Sequence, residues 1–119
     1  MKEMEGFNGL ILPVGVVGTN GIEIAKDACI TLPSAIVPVT YYYGEKPIGV
    51  AGDFNFVKGV GVTATIQLDK DKRIVEGVAR PTLELSTKDR YFFGGKEVIK
   101  KARIVDVSII SKESDVFRR

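Results

Sequence analysis

Val60-Gly61-Val62-Thr63-Ala64-Thr65-Ile66-Gln67-Leu68 is the clearest alternation in the chain. Val60, Val62, Ala64, Ile66 and Leu68 point one way, and Gly61, Thr63, Thr65 and Gln67 point the other. A side-chain period of two belongs to a half-buried antiparallel strand, with one face on a core and one in water. The apolar residues elsewhere agree with sheet, because the 119 residues include 15 Val and 12 Ile against 6 Leu and 7 Ala. β-Branched side chains suit a pleated surface and are mediocre helix formers.

Working outward, Phe7 to Val17 reads as one or two short strands bent at Gly9, Pro13 and Gly15. Gly18-Thr19-Asn20-Gly21 reads as a hairpin turn, since Asn-Gly adopts positive φ cheaply. Ile22-Glu23-Ile24 resumes a strand expected to end near Lys26-Asp27. Ser34 to Tyr43 is a strand that Pro38 places at an edge or breaks, because proline cannot donate to a ladder. A turn at Gly44-Glu45-Lys46-Pro47 leads into Ile48 to Val57, and Asp69-Lys70-Asp71-Lys72 is a solvated turn. Arg73 to Val78 is the one stretch that could be helical. Leu83 and Leu85 then alternate with Thr82, Glu84 and Ser86. The last strand runs from Val98 to Ile110, with Val105, Val107 and Ile109 on one face. Lys112 to Arg119 is expected to fray as a charged tail. The whole predicts a single all-β domain, a small antiparallel β-barrel or sandwich of about seven strands with at most one short helix.

Composition excludes several functions. With 17 Lys+Arg against 15 Asp+Glu, the net charge of +2 excludes a strongly basic nucleic-acid binder, and no nucleic-acid partner is expected. No apolar run approaches the ~18–20 residues of a membrane-spanning helix, and Met1-Lys2-Glu3-Met4-Glu5-Gly6 carries acids and leads into no long apolar run, so no signal peptide is expected. The chain has no histidine, which removes imidazole as base or ligand. It has one cysteine, Cys29, expected to pack as a small core hydrophobe, so no disulfide or cysteine-based zinc site is expected.

The remaining motifs are weak. Gly15-Val16-Val17-Gly18-Thr19-Asn20-Gly21 has the wrong spacing for a dinucleotide loop and is followed by β-branched residues, so its glycines read as turn residues. Asp53, Asp69, Asp71, Glu84, Asp89 and Asp106 are the carboxylates near strand ends, and Asp69 and Asp71 open no calcium loop. Tyr41-Tyr42-Tyr43 must divide its rings between two faces of a strand, which suits a surface half buried and half wet better than a base-stacking platform. No cofactor or metal is expected.

Three blocks, in order, resemble a known family. Val37-Pro38-Val39-Thr40-Tyr41-Tyr42-Tyr43-Gly44-Glu45-Lys46-Pro47-Ile48-Gly49, Leu83-Glu84-Leu85-Ser86 and Ala102-Arg103-Ile104-Val105-Asp106-Val107-Ser108-Ile109-Ile110 resemble segments of the prohead (capsid maturation) proteases of tailed phages. The Val60–Leu68 strand falls where that family has one, and the likeness spans roughly residues 22 to 115. It implies a small β-barrel whose serine nucleophile would be Ser86. Tyr42 or Tyr43 stands where the family has its histidine base, and the stretch from Leu68 to Ser86 is shorter than the family's helical insertion. A serine needs a nearby base, and tyrosine, with a pKa near 10, is a poor one.

The resemblance therefore implies a scaffold without catalysis. The expectation is a phage capsid decoration (cement) protein, located on the virion, that binds the major capsid protein and copies of itself. Its expected interface is Tyr41, Tyr42, Tyr43, Phe54, Phe56, Tyr91, Phe92 and Phe93, although each ring taken singly also suits core packing. The alternatives are a prohead serine protease using Ser86, with Asp106 orienting and Lys88 or Tyr43 assisting, and a homo-oligomeric β-barrel unrelated to capsids.

Overall fold

The structure, a computed structural model, describes residues 4–42, 44–69 and 77–117. Its strands are β1 (Met4–Pro13), β2 (Ile22–Thr31), β3 (Val37–Tyr41), β4 (Pro47–Val57), β5 (Gly61–Asp69), β6 (Val78–Glu84), β7 (Arg90–Phe93) and β8 (Lys96–Ile110). Two single 3-10 turns, Thr87–Asp89 and Lys112–Ser114, complete the regular structure among the described residues. The fold is all-β, in line with the excess of Val and Ile over Leu and Ala. Among the described residues no helix is long and apolar enough to cross a membrane. The expected helical stretch from Arg73 and the turn at Lys70 to Lys72 lie outside the described residues; Val78 opens β6.

All eight strands join one sheet in the order β1-β5-β4-β3-β8-β2, with β6 and β7 also paired to β8. β8 organises the molecule. Its two halves pair with β2 and then β3 on one edge, and with β7 and then β6 on the other. The pairings of β2 and β3 with β8 are parallel, so the sheet is mixed and not wholly antiparallel. β5, whose alternation is the clearest, pairs antiparallel on both sides, and the parallel pairs belong to β2 and β3, which meet β8 through long connections.

The sheet curls but does not close into a barrel. β1 comes to lie beside β6 with no ladder between them. Ile11 is an extra residue in β1, between the Leu10 and Leu12 pairings to β5, and Pro81 of β6 lacks an N–H. An arginine side chain bridges the seam instead. Arg80 Nη1 donates to the carbonyls of Leu10 and Ile11, both at 3.2 Å. Its Nε and Nη2 hold the two carboxylate oxygens of Asp115 at 2.8 and 2.9 Å, and its guanidinium lies 5.5 Å from the centre of the Phe117 ring.

That fork corrects the expectation of a frayed tail over 112–117. Asp115 is 4% exposed, Phe117 packs against the core, and Thr19 N–H donates to the Val116 carbonyl at 2.6 Å. Residues 118–119 lie outside the described ones. The carboxylate within a charged run is drawn in by a bidentate cation, the geometry that makes arginine–carboxylate pairs strong.

The core collects Val62, Ala64 and Ile66 of β5 with Val39, Ala51, Val107 and Ile109, all at 2% exposure or less. Val60 belongs to the turn before β5 and is exposed. β2 does not stop at Asp27 but continues past a register shift to Thr31, and Cys29 faces solvent instead of the core. In β8 the buried face changes phase: Ala102 and Ile104 are buried, then Val107 and Ile109. Val105 is the bulged residue, because Thr82 pairs with Asp106 while Leu83 pairs with Ile104. Pro38 sits where β3 pairs with β4 alone, and the β8 ladder starts one residue later.

Candidate functional site

Ser86 precedes the Thr87–Asp89 turn and is exposed. Its backbone N–H and its hydroxyl both donate to Asp89 Oδ2, at 3.0 and 3.1 Å. The Ser86 backbone N–H holds the Asp89 carboxyl below its ordinary range, helped by the Ser86 hydroxyl and opposed by desolvation. An acid stabilised as its anion is a weaker base, so this pairing caps the turn and does not activate the hydroxyl. Ser86, Asp89, Lys101 and Arg103 share an open depression of about 390 Å³. Lys88 lies within the turn and is exposed. Asp106 stands opposite Thr82 on the β6–β8 ladder and is not the hydroxyl's acceptor.

Ser86→Ala keeps the backbone N–H bond to Asp89 and loses only that of the hydroxyl, so it is expected to change stability little. Asp89 should then titrate at a higher pH. With the serine present, the stabilisation holds above the ordinary carboxylate range and is lost as pH falls through the depressed value. A carbon-detected titration of Asp89 reads the shift; an unchanged Asp89 in Ser86→Ala would discard the hydroxyl's contribution and leave the backbone N–H as the whole cause.

Tyr42 lies elsewhere. Its backbone is left-handed, at φ 52°, and its hydroxyl accepts from the Ser111 N–H at 2.9 Å. The Ser111 hydroxyl, helped by the Ser111 N–H and opposed by desolvation, holds its phenol below the usual tyrosine range. Tyr41 aligns with Ile109 of β8, whereas Glu84 aligns with Arg103. Six strand residues at ~3.3 Å each separate those levels by about 20 Å. The fold thus keeps Tyr42 far from Ser86 and uses its hydroxyl to hold the start of the C-terminal segment. Tyr43 lies outside the described residues.

The aromatic residues divide. Phe54 packs against the core. Tyr41 and Tyr42 meet edge to face, with centroids 4.6 Å apart, and both remain exposed. Phe56, Val57 and Val60 stand exposed at the β4–β5 hairpin tip. Tyr91, Phe92 and Phe93 form β7, whose hairpin to β8 turns through Gly94 and Gly95 at φ 61° and 80°. Phe92 is 80% and Phe93 68% exposed. Lys100 Nζ lies 5.9 Å from the Tyr91 ring centre, which leaves the phenylalanines as the bare part of this tip.

A groove missed in the sequence lies between β2, β6, β8 and the C-terminal segment, with a volume of about 280 Å³. Ile22, Leu83, Leu85, Ile99, Val116 and Phe117 form its apolar walls. Each charged side chain on it is paired: Arg80 with Asp115, and Arg90 with Glu97 at 3.1 Å. No local motif could have revealed it, because its walls come from four distant segments. Among the described residues no group of three or more His, Cys, Asp or Glu is placed to hold a metal. No protein-family model matches the chain, and comparison with curated proteins and with solved structures finds no match.

Proposed function

We propose that the chain is a non-enzymatic structural protein, a capsid decoration (cement) protein that binds a lattice of major capsid protein in many copies and stabilises the head. The observation that carries this reading is the pair of hairpin tips, β4–β5 and β7–β8, that hold large apolar side chains in water. Large apolar side chains grouped in solvent mark contact sites with other proteins. The three sequence blocks and the tyrosine at the family's histidine position direct the reading to a phage shell. The Ser86–Asp89 cap and the distance from Ser86 to Tyr42 favour binding over proteolysis.

The Phe56, Val57 and Val60 tip is assigned to the shell. Co-sedimentation with expanded and immature phage shells, at rising salt, tests this. Saturable binding to expanded shells that varies little with salt is expected, because an apolar contact is not screened. Phe56→Ser with Val60→Ser should weaken it by about 30-fold, the loss of one interface anchor. Absence of binding, or removal of a propeptide from immature shells, overturns the reading.

A further inference from the structure

Phe92 and the apolar groove share a face of the sheet. In an antiparallel ladder, directly opposed residues project from the same side. Arg90 pairs with Ile99 and Phe92 with Glu97, and Arg90, Ile99 and Glu97 all line the groove. Phe92 therefore stands on the groove face just past the Arg90–Glu97 rim, 80% exposed. Tyr91 and Phe93, paired with Val98 and Lys96, project from the opposite face.

We infer that the groove receives Phe92 of a second copy, and that the exchange is reciprocal across a two-fold axis. This goes beyond the shell contact and uses a different hairpin. Its volume of about 280 Å³ exceeds the ~150 Å³ that accepts a benzene ring. The internal pairing of its charged groups suits an uncharged side chain, since an ion entering the groove would have to compete with a partner already in place. The rim also matches itself. Its two charges are of opposite sign, so a two-fold axis through the rim allows one copy's Arg90 to face the other's Glu97 and the reverse. A protruding ring and a receiving groove on one face of one hairpin are what a self-complementary contact requires. A surface evolved for a different partner has no need to carry both.

The test is complementation, followed by analytical ultracentrifugation of the full chain. Wild type should form a concentration-dependent dimer. Phe92→Ser removes the ring, and Leu85→Trp fills the groove; each should weaken self-association at least about tenfold. Mixed together, they should recover a heterodimer, because one keeps the groove and the other the ring. A wild type that stays monomeric, or a Phe92→Ser protein that dimerises as wild type does, overturns the inference. So does a folded pair of variants that fails to recover on mixing. Because Phe92 is exposed, its substitution leaves the fold intact and keeps the test decisive even if Leu85→Trp misfolds. Equal saturable uptake of neutral N-phenyl-1-naphthylamine by wild type and Phe92→Ser, at concentrations where wild type should dimerise, would assign the groove to a small apolar molecule instead. Shell binding is read separately through Phe56 and Val60, so either proposal can fail without the other.

Discussion

Arg80→Ala is expected to destabilise the protein by about 3–5 kcal/mol, the usual loss when one member of a buried ion pair is removed. The side chains of Arg80 and Asp115 are 14% and 5% exposed, so the remaining carboxylate has little water to replace its partner. The same substitution takes a donor from the Leu10 and Ile11 carbonyls and the cation from the Phe117 ring. In urea, with a slope of ~2 kcal/mol per molar, the midpoint should fall by about 2 M. Arg103→Ala is the control. Its pair with Glu84 closes to 2.6 Å, but the side chains are 56% and 64% exposed, and such pairs contribute less than ~1 kcal/mol. Arg80→Met combined with Asp115→Leu should recover much of the loss, since apolar replacement of a whole buried pair is often tolerated. If Arg80→Ala and Arg103→Ala unfold at the same urea concentration, the guanidinium does not hold the seam.

The second large effect is expected at Gly61→Ala. Gly61 opens β5 at φ +141° and aligns with Pro13 of β1 and Val57 of β4. An added Cβ would run into the Leu12 carbonyl oxygen and come within 2.9 Å of Pro13 Cα, both backbone atoms that cannot turn aside. Strain at a positive φ and overpacking each cost on the order of 1–3 kcal/mol, so a total of about 3 kcal/mol is expected. At roughly 4 °C per kcal/mol for a chain of this size, the melting temperature should drop by about 12 °C. Gly59→Ala separates the two causes. It has φ +77° but no atom within 4 Å of the added carbon, so it should lose only about 1 kcal/mol. Equal losses at the two glycines would mean that the close approach of β1 contributes nothing.

Both effects rest on contacts that the sequence did not announce. β5 was readable because a strand with one face on the core must alternate, and Val62, Ala64 and Ile66 do. The Gly18–Gly21 turn was readable for a local reason as well. Gly21 takes φ 81°, and Asn20 Oδ1 accepts from the Ile22 N–H at 3.2 Å. The phase change at Val105 was not readable, because a bulge inserts a residue without altering composition. Nor was the parallel pairing of β2 and β3 with β8, which depends on where the chain returns. The Arg80–Asp115 fork joins residues 35 apart, and its only local trace is the apolar Val116-Phe117 following Asp115. At the aromatic surface, Phe92 and Phe93 are exposed beside the Gly94-Gly95 turn, whereas Phe54 packs on the core because the register shift between Gly52 and Asn55 breaks the alternation of β4 and turns it inward.

The position of β8 bears on the order in which the protein is made. β2 and β3 find their parallel neighbour only when residues 96–110 have been synthesised. From Thr31 to its partner Arg103, translation at ~5–20 residues per second leaves about 4–14 s during which β2 has no ladder there. β4 and β5 can pair as a hairpin during that interval, but β2 remains an open strand able to join a neighbouring nascent chain. Sheets completed by distant, late-made segments fold slowly. Yield from dense polysomes should therefore be more sensitive to temperature and expression rate than the stability of the finished fold would suggest.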